Sequence, residues 1–322
     1  MEDIVVTTAV PAPPAEPTPA DAPEGAVVGG ATGAVIAALD GAPADGPLLD
    51  WAADEAARLD APLRLVTAVD PGIQLTPYDA FAGGSPSLTE QLDADANRLL
   101  QTAVARARSR HPGLDIATSV PWGAAAAAIV GLSAGARLVV VGAPARGLLD
   151  RILLGSVALP IVAHAPCPVA VVPADTVVTD PTHIVVGVDG SEKSGRAVEL
   201  AMDMAEGAAA EVTCVIGWNL EVHEGVVVTE PSSERWAAVE QRYAARAHRV
   251  VDPAAARHPD VRVRVEVRHG TASTVIREAA AELAADRVIV GSRGLGGFRG
   301  LLLGSVSRRV LEHAGRVVVV VR

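Results

Sequence analysis

The sequence predicts an α/β protein built from two tandem copies of one parallel-sheet unit, and three observations carry that prediction. First, the chain repeats itself. Asp40 and Asp189, Gly155 and Gly304, and His164 and His313 share one offset of 149 residues, inside matching runs (Val35 to Gly41 with Ile184 to Gly190, Gly142 to Val157 with Gly291 to Val306). A constant offset of this kind marks a duplicated structural unit. Second, short apolar runs alternate with helical patterns inside each copy, which implies parallel strands joined by right-handed helical crossovers. Third, half of the 322 residues are hydrophobic but only 2% are aromatic, so the core must be Ala, Val and Leu. Ala-rich helices packed on Val-rich strands suit that alphabet.

Residues 1–25 read as a disordered tail. The segment 11–25 is Pro, Ala and acid, and buries too little apolar surface to offset the entropy of ordering. The first copy spans 26–173, a linker 174–182, and the second copy 183–322, with a small indel around the third helix. In the second copy Ile184–Val188 is a short buried strand. Ser191 to Glu206 is helical, because Ala197, Leu200, Ala201 and Met204 fall at i, i+3, i+4 and i+7. Val212–Trp218 is the second strand and 232–256 a long polar helix. Val261–Val267 alternates Val with Arg or Glu, as a strand with one wet face does at a sheet edge. A helix over 273–285, a strand over Arg287–Val290, a Gly-rich loop, a helix from Ser305 to His313 and a last strand Val317–Val321 complete the unit.

The net charge of −11 sets the overall field against nucleic acid and anionic membrane surfaces. The start lacks the basic residues and long apolar stretch of a secretory signal, and no run of about 20 apolar residues suggests a membrane span. A cytoplasmic protein is expected. Cys167 and Cys214 form no CxxC pair and read as two buried thiols rather than a disulfide.

The chemistry concentrates at two strand ends. Open parallel sheets bind ligands outside the carboxyl ends of their strands, where the strand order reverses. Asp189 ends the first strand and Gly291 the fourth, so together they would frame one crevice. Gly291-Ser-Arg-Gly294 is followed, nine residues on, by Gly304-Ser305. Glycines let a phosphate approach main-chain N–H groups, and Gly304 and Ser305 open a helix whose unpaired N–H groups favour anions. Arg293 and Arg299 add positive charge, and the hydroxyls of Ser305 and Ser307 add donors. The loop is not a P-loop, since no GK[ST] is present, nor the dinucleotide fingerprint, which follows the first strand.

This pattern, with Val186-Gly-Val-Asp-Gly-Ser191 and the ending Gly304-Ser-Val-Ser…Leu311-Glu-His-Ala314, resembles the universal stress protein family across nearly the whole chain past residue 26. The resemblance implies two tandem doubly wound, Rossmann-like, five-stranded parallel sheets of strand order 3-2-1-4-5. It implies an adenine nucleotide, ATP or else ADP or AMP, as ligand. It puts Val188 and Asp189 by the ribose and the phosphate–metal region, where a phosphate-bound Mg2+ would lie. The main chain of Gly217 would meet adenine. Gly291, Arg293 and Gly294 would line ribose and phosphates, and Gly304, Ser305, Val306 and Ser307 would hold the phosphates.

The first copy keeps Asp40, Gly142, Gly155, Ser156 and Val157 as a weaker set. Ala145 replaces Gly294, at a cost if that position needs a positive φ. Pro144 replaces Arg293 and removes an N–H donor, Ala158 replaces Ser307, and Asp150, beside Arg151, replaces Arg299. The second site is therefore expected to bind more tightly. His164 and His313 read as C-terminal helix caps, His223-Glu224 as surface loop, and Trp51 and Trp218 as core or pocket wall. The last strands of the two copies, apolar and flat, are expected to pair within the chain, because an exposed edge of that kind invites aggregation. Homo-oligomers and the protein partner stay open. So do three functions: a nucleotide-dependent regulatory module in stress response, a slow ATPase or nucleotidyl- or phosphotransferase, and an interaction protein with a vestigial pocket.

Overall fold

The computed structural model describes residues 32–42, 44–70, 86–144, 154–223, 226–228, 230–231, 233–295 and 302–322. The expectations for the tail 1–25 and for Ala145, Asp150, Arg151, Glu224 and Arg299 lie outside these residues.

In the first copy the order is β1 (Val35–Ala38), α1 (Asp45–Arg58), β2 (Leu63–Val66), α2 (Pro86–Arg110), β3 (Ile116–Ser119), α3 (Ala125–Leu132), β4 (Leu138–Ala143), α4 (Ala158–His164) and β5 (Val169–Pro173). In the second it is β6 (His183–Gly187), α5 (Glu192–Glu206), β7 (Glu211–Trp218), the hairpin β8 (Val222–His223) and β9 (Val226–Val227), α6 (Glu234–Arg257), β10 (Val263–His269), α7 (Ala272–Glu282), β11 (Arg287–Gly291), α8 (Ser305–His313) and β12 (Val317–Val321).

Both copies have the strand order 3-2-1-4-5 and are parallel throughout. They join into one ten-stranded sheet, β10-β7-β6-β11-β12-β5-β4-β1-β2-β3. The join is antiparallel, with Val318 opposite Val171, Val319 opposite Ala170 and Val320 opposite Val169. Val319 and Ala170 are equivalent under the 149-residue offset, so a pseudo-two-fold axis passes between them. Both joined strands are fully buried, and the apolar edges that would otherwise stand exposed cover each other.

Local sequence explains the elements. Ser191 caps α5 by accepting the N–H of Ser194 at 3.2 Å, and Glu192 complements the helix dipole in the first turn. Ala197, Leu200, Ala201 and Met204 are buried, as their spacing predicts. Ser233 caps α6 in the same way through the N–H of Trp236. At the outer edge β10 carries Arg264, Glu266 and Arg268, whose ion pairs keep that face wet.

Two apolar layers sandwich the sheet, and each runs unbroken through both copies. One holds α1, α2, α5 and α6, and the other α3, α4, α7 and α8. Trp51 lies in the first layer, whereas Trp218 forms a small cluster of its own with Val228 and Val239. Cys167 and Cys214 are free and buried, and burial pushes their thiols up to about 11 and about 12. His164 and His313 each meet the carbonyl four residues back, of Pro160 and Arg309, at the ends of their helices. Among the described residues no helix is long and apolar enough to cross a membrane.

Candidate functional site

At the carboxyl end of the second copy's sheet, β6 stops at Gly187 and the chain turns through Val188, Asp189 and Gly190 into α5. Gly190 has φ +80°, and a Cβ there would lie 2.5 Å from Cγ of Arg246, so only glycine fits both the turn and its neighbour. Asp189 holds two segments together. Its Oδ1 accepts the N–H of Ser191 at 2.9 Å, and its Oδ2 accepts the N–H of Leu295 at 2.7 Å, across from the Gly-rich loop.

The loop itself is tied at its base. Ser292 donates its N–H to Val321 at 2.6 Å and accepts the N–H of Gly304 at 2.7 Å, so the two ends of the loop meet beside β12. The Ser307 hydroxyl, buried, donates to the Gly291 carbonyl at 2.6 Å. That hydroxyl fixes the loop base rather than facing outward. Helix α8 begins at Ser305 behind Gly304, with no side-chain cap and no acid in its first turn. Among the described residues its first N–H groups meet no capping side chain, an arrangement of donors that favours an anion.

The glycines work by close approach. A Cβ on Gly294 would overlap Asp189 Oδ2, and one on Gly217 would lie 2.8 Å from Val275 and 3.0 Å from the Ala272 backbone. Gly294 is not among the positive-φ residues, so the strain considered from sequence for that position is replaced by a steric reason. Lys193 Nζ donates to Ser292 Oγ at 3.0 Å, and its ammonium is held below the usual lysine range by burial and then by Arg293, Arg322 and Arg196. Four cations, Lys193, Arg196, Arg293 and Arg322, thus gather on the loop side of the crevice.

These groups enclose a cavity of about 370 Å³. Val188, Asp189, Gly217, Gly291, Arg293, Gly294, Gly304, Ser305, Val306 and Ser307 all line it. Sequence reasoning missed the opposite wall, which is Tyr243 and Arg246 of α6 and Ala272 and Ile276 of α7. Arg246 stacks over the Tyr243 ring at 4.9 Å, and the Tyr243 hydroxyl donates to Glu221. That bond holds the Glu221 carboxyl below its usual range, while burial, then the same bond, raises the Tyr243 phenol. Trp218, Trp236 and His269 pack edge to face behind this wall. The available signal was the i, i+3 spacing of Tyr243 and Arg246 on a helix, which puts both on one side.

The first copy differs. Asp40 forms the same local turn, accepting the N–H of Ala42 at 2.9 Å, but the N–H groups of Asp40 and Gly41 donate to Asp45 at 3.1 and 2.7 Å. An acid thus occupies donors at that strand end; the equivalent position in the second copy is Ser194. Burial pushes the Asp45 carboxyl up to about 6. Gly142 packs against Leu48, while Gly155 has open space where a Cβ would go. Ser156 and Val157 are exposed and precede α4 rather than open it, unlike Ser305 and Val306, with which α8 begins. The reason is Pro160, which has no N–H for the Ser156 carbonyl, so the ladder is interrupted and the regular helix begins at Ala158.

Among the described residues no group of three or more His, Cys, Asp or Glu is arranged to hold a metal ion. His223, expected in a surface loop, ends β8 and pairs with Val226 of β9 in the hairpin.

The sequence profile described as the universal stress protein family matches this chain twice, over residues 32–173 and 181–322. A universal stress protein of Mycobacterium tuberculosis is 34% identical over 295 residues, covering 89% of this chain and 96% of its own. One from Mycolicibacterium smegmatis is 30% identical over 290 residues, with the same coverage. A crystal structure of a universal stress protein from Archaeoglobus fulgidus superposes over 89% of this chain and 97% of its own, with TM-score 0.66 at 18% identity. One of a putative universal stress protein from Pseudomonas aeruginosa covers 89% and 92%, with TM-score 0.61 at 17% identity. These two carry the likeness of fold.

Proposed function

The chain belongs to the universal stress protein family, and from that premise we propose that its C-terminal half is an adenine-nucleotide-binding module, with ATP as the ligand, whose occupancy regulates the protein in a stress response. The observation that carries this reading is the single cavity shared by Asp189, the glycines 291, 294 and 304, and the uncapped start of α8. Its volume falls in the range of small-ligand pockets. The glycines form a cradle that side chains would fill. The α8 N–H groups and Arg293 supply donors and charge for phosphates, and the apolar wall of Ile216, Gly217 and Ile276 suits a base.

A bound nucleotide would bring its own Mg2+. That cation takes its ligands chiefly from phosphates and water with one or two carboxylates, and Asp189 is the carboxylate at hand. Both Asp189 oxygens accept main-chain N–H groups. This favours a residue that organises a binding loop over a general base, and so a binding module over an ATPase or transferase.

The test is thermal unfolding of protein shown to be nucleotide-free. ATP at 100 times its Kd should stabilise the fold by about 2.7 kcal/mol. No shift with ATP, ADP or AMP at millimolar concentration would reject the reading.

A further inference from the structure

Near the pseudo-two-fold axis the two halves should be interchangeable, and at three pairs of positions a charged residue in one half faces an uncharged equivalent in the other. Glu55 of α1 corresponds to Met204 of α5, Leu138 of β4 to Arg287 of β11, and Arg58 to Gly207. The unlike residues meet across the seam. Arg287, 2% exposed, donates to Glu55, 0% exposed, at 2.7 Å, and its guanidinium lies 5.1 Å from the Trp51 ring. Arg58 donates to the same Glu55 oxygen at 2.8 Å. Gly207 lies so near the end of α1 that a Cβ there would sit 3.3 Å from the Arg58 carbonyl.

We propose that this seam is a selective interaction surface: an N-terminal half accepts only a C-terminal half, from its own chain or from another copy, and neither half accepts its like. Two C-terminal halves paired through β12 would bury two Arg287 side chains opposite Met204 and Leu200, with no carboxylate. Two N-terminal halves paired through β5 would bring the two Glu55 carboxylates together and set Arg58 against Arg58 where a glycine now just fits. Stability alone does not explain the charges. Glu55 Oε1 and Arg287 Nε have no hydrogen-bond partner among the described residues, and an apolar pair of similar size is commonly as stable as a buried ion pair. What the pair adds is discrimination, since a like pairing strands a buried charge. The functional consequence is that every pseudo-dimer contains one Gly-cradled pocket and one first-copy site altered by Asp45.

The experiment starts from the full chain. A protease site is inserted beside Val177, which is 83% exposed in the linker, and the folded protein is cleaved and mixed with an isotopically heavy cleaved copy. Native mass spectrometry then counts like and unlike pairs after exchange. The parent should give unlike pairs only. The Glu55→Met/Arg287→Leu double variant, which carries at each position the residue of the opposite half, should gain pairs of two C-terminal halves. In the uncut chain Glu55→Met alone should lower the folding constant at least ~100-fold, and adding Arg287→Leu should restore most of it. Like pairs in the parent, or only unlike pairs in the double variant, would overturn the proposal. So would losses that simply add, even if the single variants fold poorly.

Discussion

Replacing Gly294 by alanine tests the geometry of the pocket at one atom. The new methyl would overlap Asp189 Oδ2, the oxygen that accepts the Leu295 N–H at 2.7 Å. Relief requires the carboxylate or the loop to retreat by about 1 Å, which takes that hydrogen bond out of range. A hydrogen bond to a charged group contributes ~1.5–3 kcal/mol, and because Leu295 is exposed the lower end applies. A loss of about 1.5 kcal/mol is roughly tenfold in affinity. Calorimetric titration with ATP should show that drop for Gly294→Ala, and a similar one for Asp189→Asn, whose amide can accept only one of the two N–H groups. The decisive reading is the combination. Both changes break the same bond, so the double variant should bind about as weakly as either single one. An affinity within twofold of the parent for Gly294→Ala, or full additivity in the double variant, would refute the account of Asp189 as the clasp of the Gly-rich loop.

Three further outcomes follow from the same structure. Gly304→Asp puts a carboxylate at the start of α8, with its Cβ 3.3 Å from the Ser292 carbonyl, and should abolish most ATP affinity by calorimetry, whereas Gly155→Asp enters open space and should leave it nearly unchanged; the reverse ranking would mean that the N-terminal half binds. Burial raises Asp45 from 3.8 to about 6, so the native state holds that proton more tightly than the unfolded chain does. Its contribution to stability is fully present below pH 3.8 and is lost as pH rises through 6. It amounts to about 1 kcal/mol after allowing for solvent access, and denaturation of Asp45→Asn from pH 4 to 7 should lack that slope. Hydrogen exchange should find Val169–Pro173 and Val317–Val321 among the slowest amides, since both strands lie at the middle of the sheet; fast exchange in both would contradict the join.

Much of this molecule is legible in its sequence because repetition and glycine spacing are strong local signals. The helix Ser305–His313 and the strand Val317–Val321 stand where the pattern puts them, and the ten second-copy positions named for the pocket meet in one cavity. The rest depends on tertiary neighbours. Tyr243 and Arg246 come from a helix whose polar face gives no hint of which strand end it overhangs. The need for glycine at 294 reads as a backbone preference until Asp189 is seen against it. Asp45 looks like an ordinary first-turn acid, and only the fold shows it holding the N–H groups of Asp40 and Gly41. Likewise, nothing in the spacing of Glu55 and Arg287 reveals that they meet.

The antiparallel join of β5 to β12 also sets a timetable. A ribosome completes β5 nearly 150 residues before β12, the strand that covers its outer edge. At 5–20 residues per second the nascent N-terminal half stands with five apolar residues uncovered for on the order of ten seconds. During that interval another emerging β5 is a nearer neighbour than the chain's own β12. Polysomes, where many such halves crowd one message, are therefore where mispairing would begin. During that wait the charges of Glu55 and Arg58 are what opposes pairing with a like half, until β12 brings Arg287 to the seam.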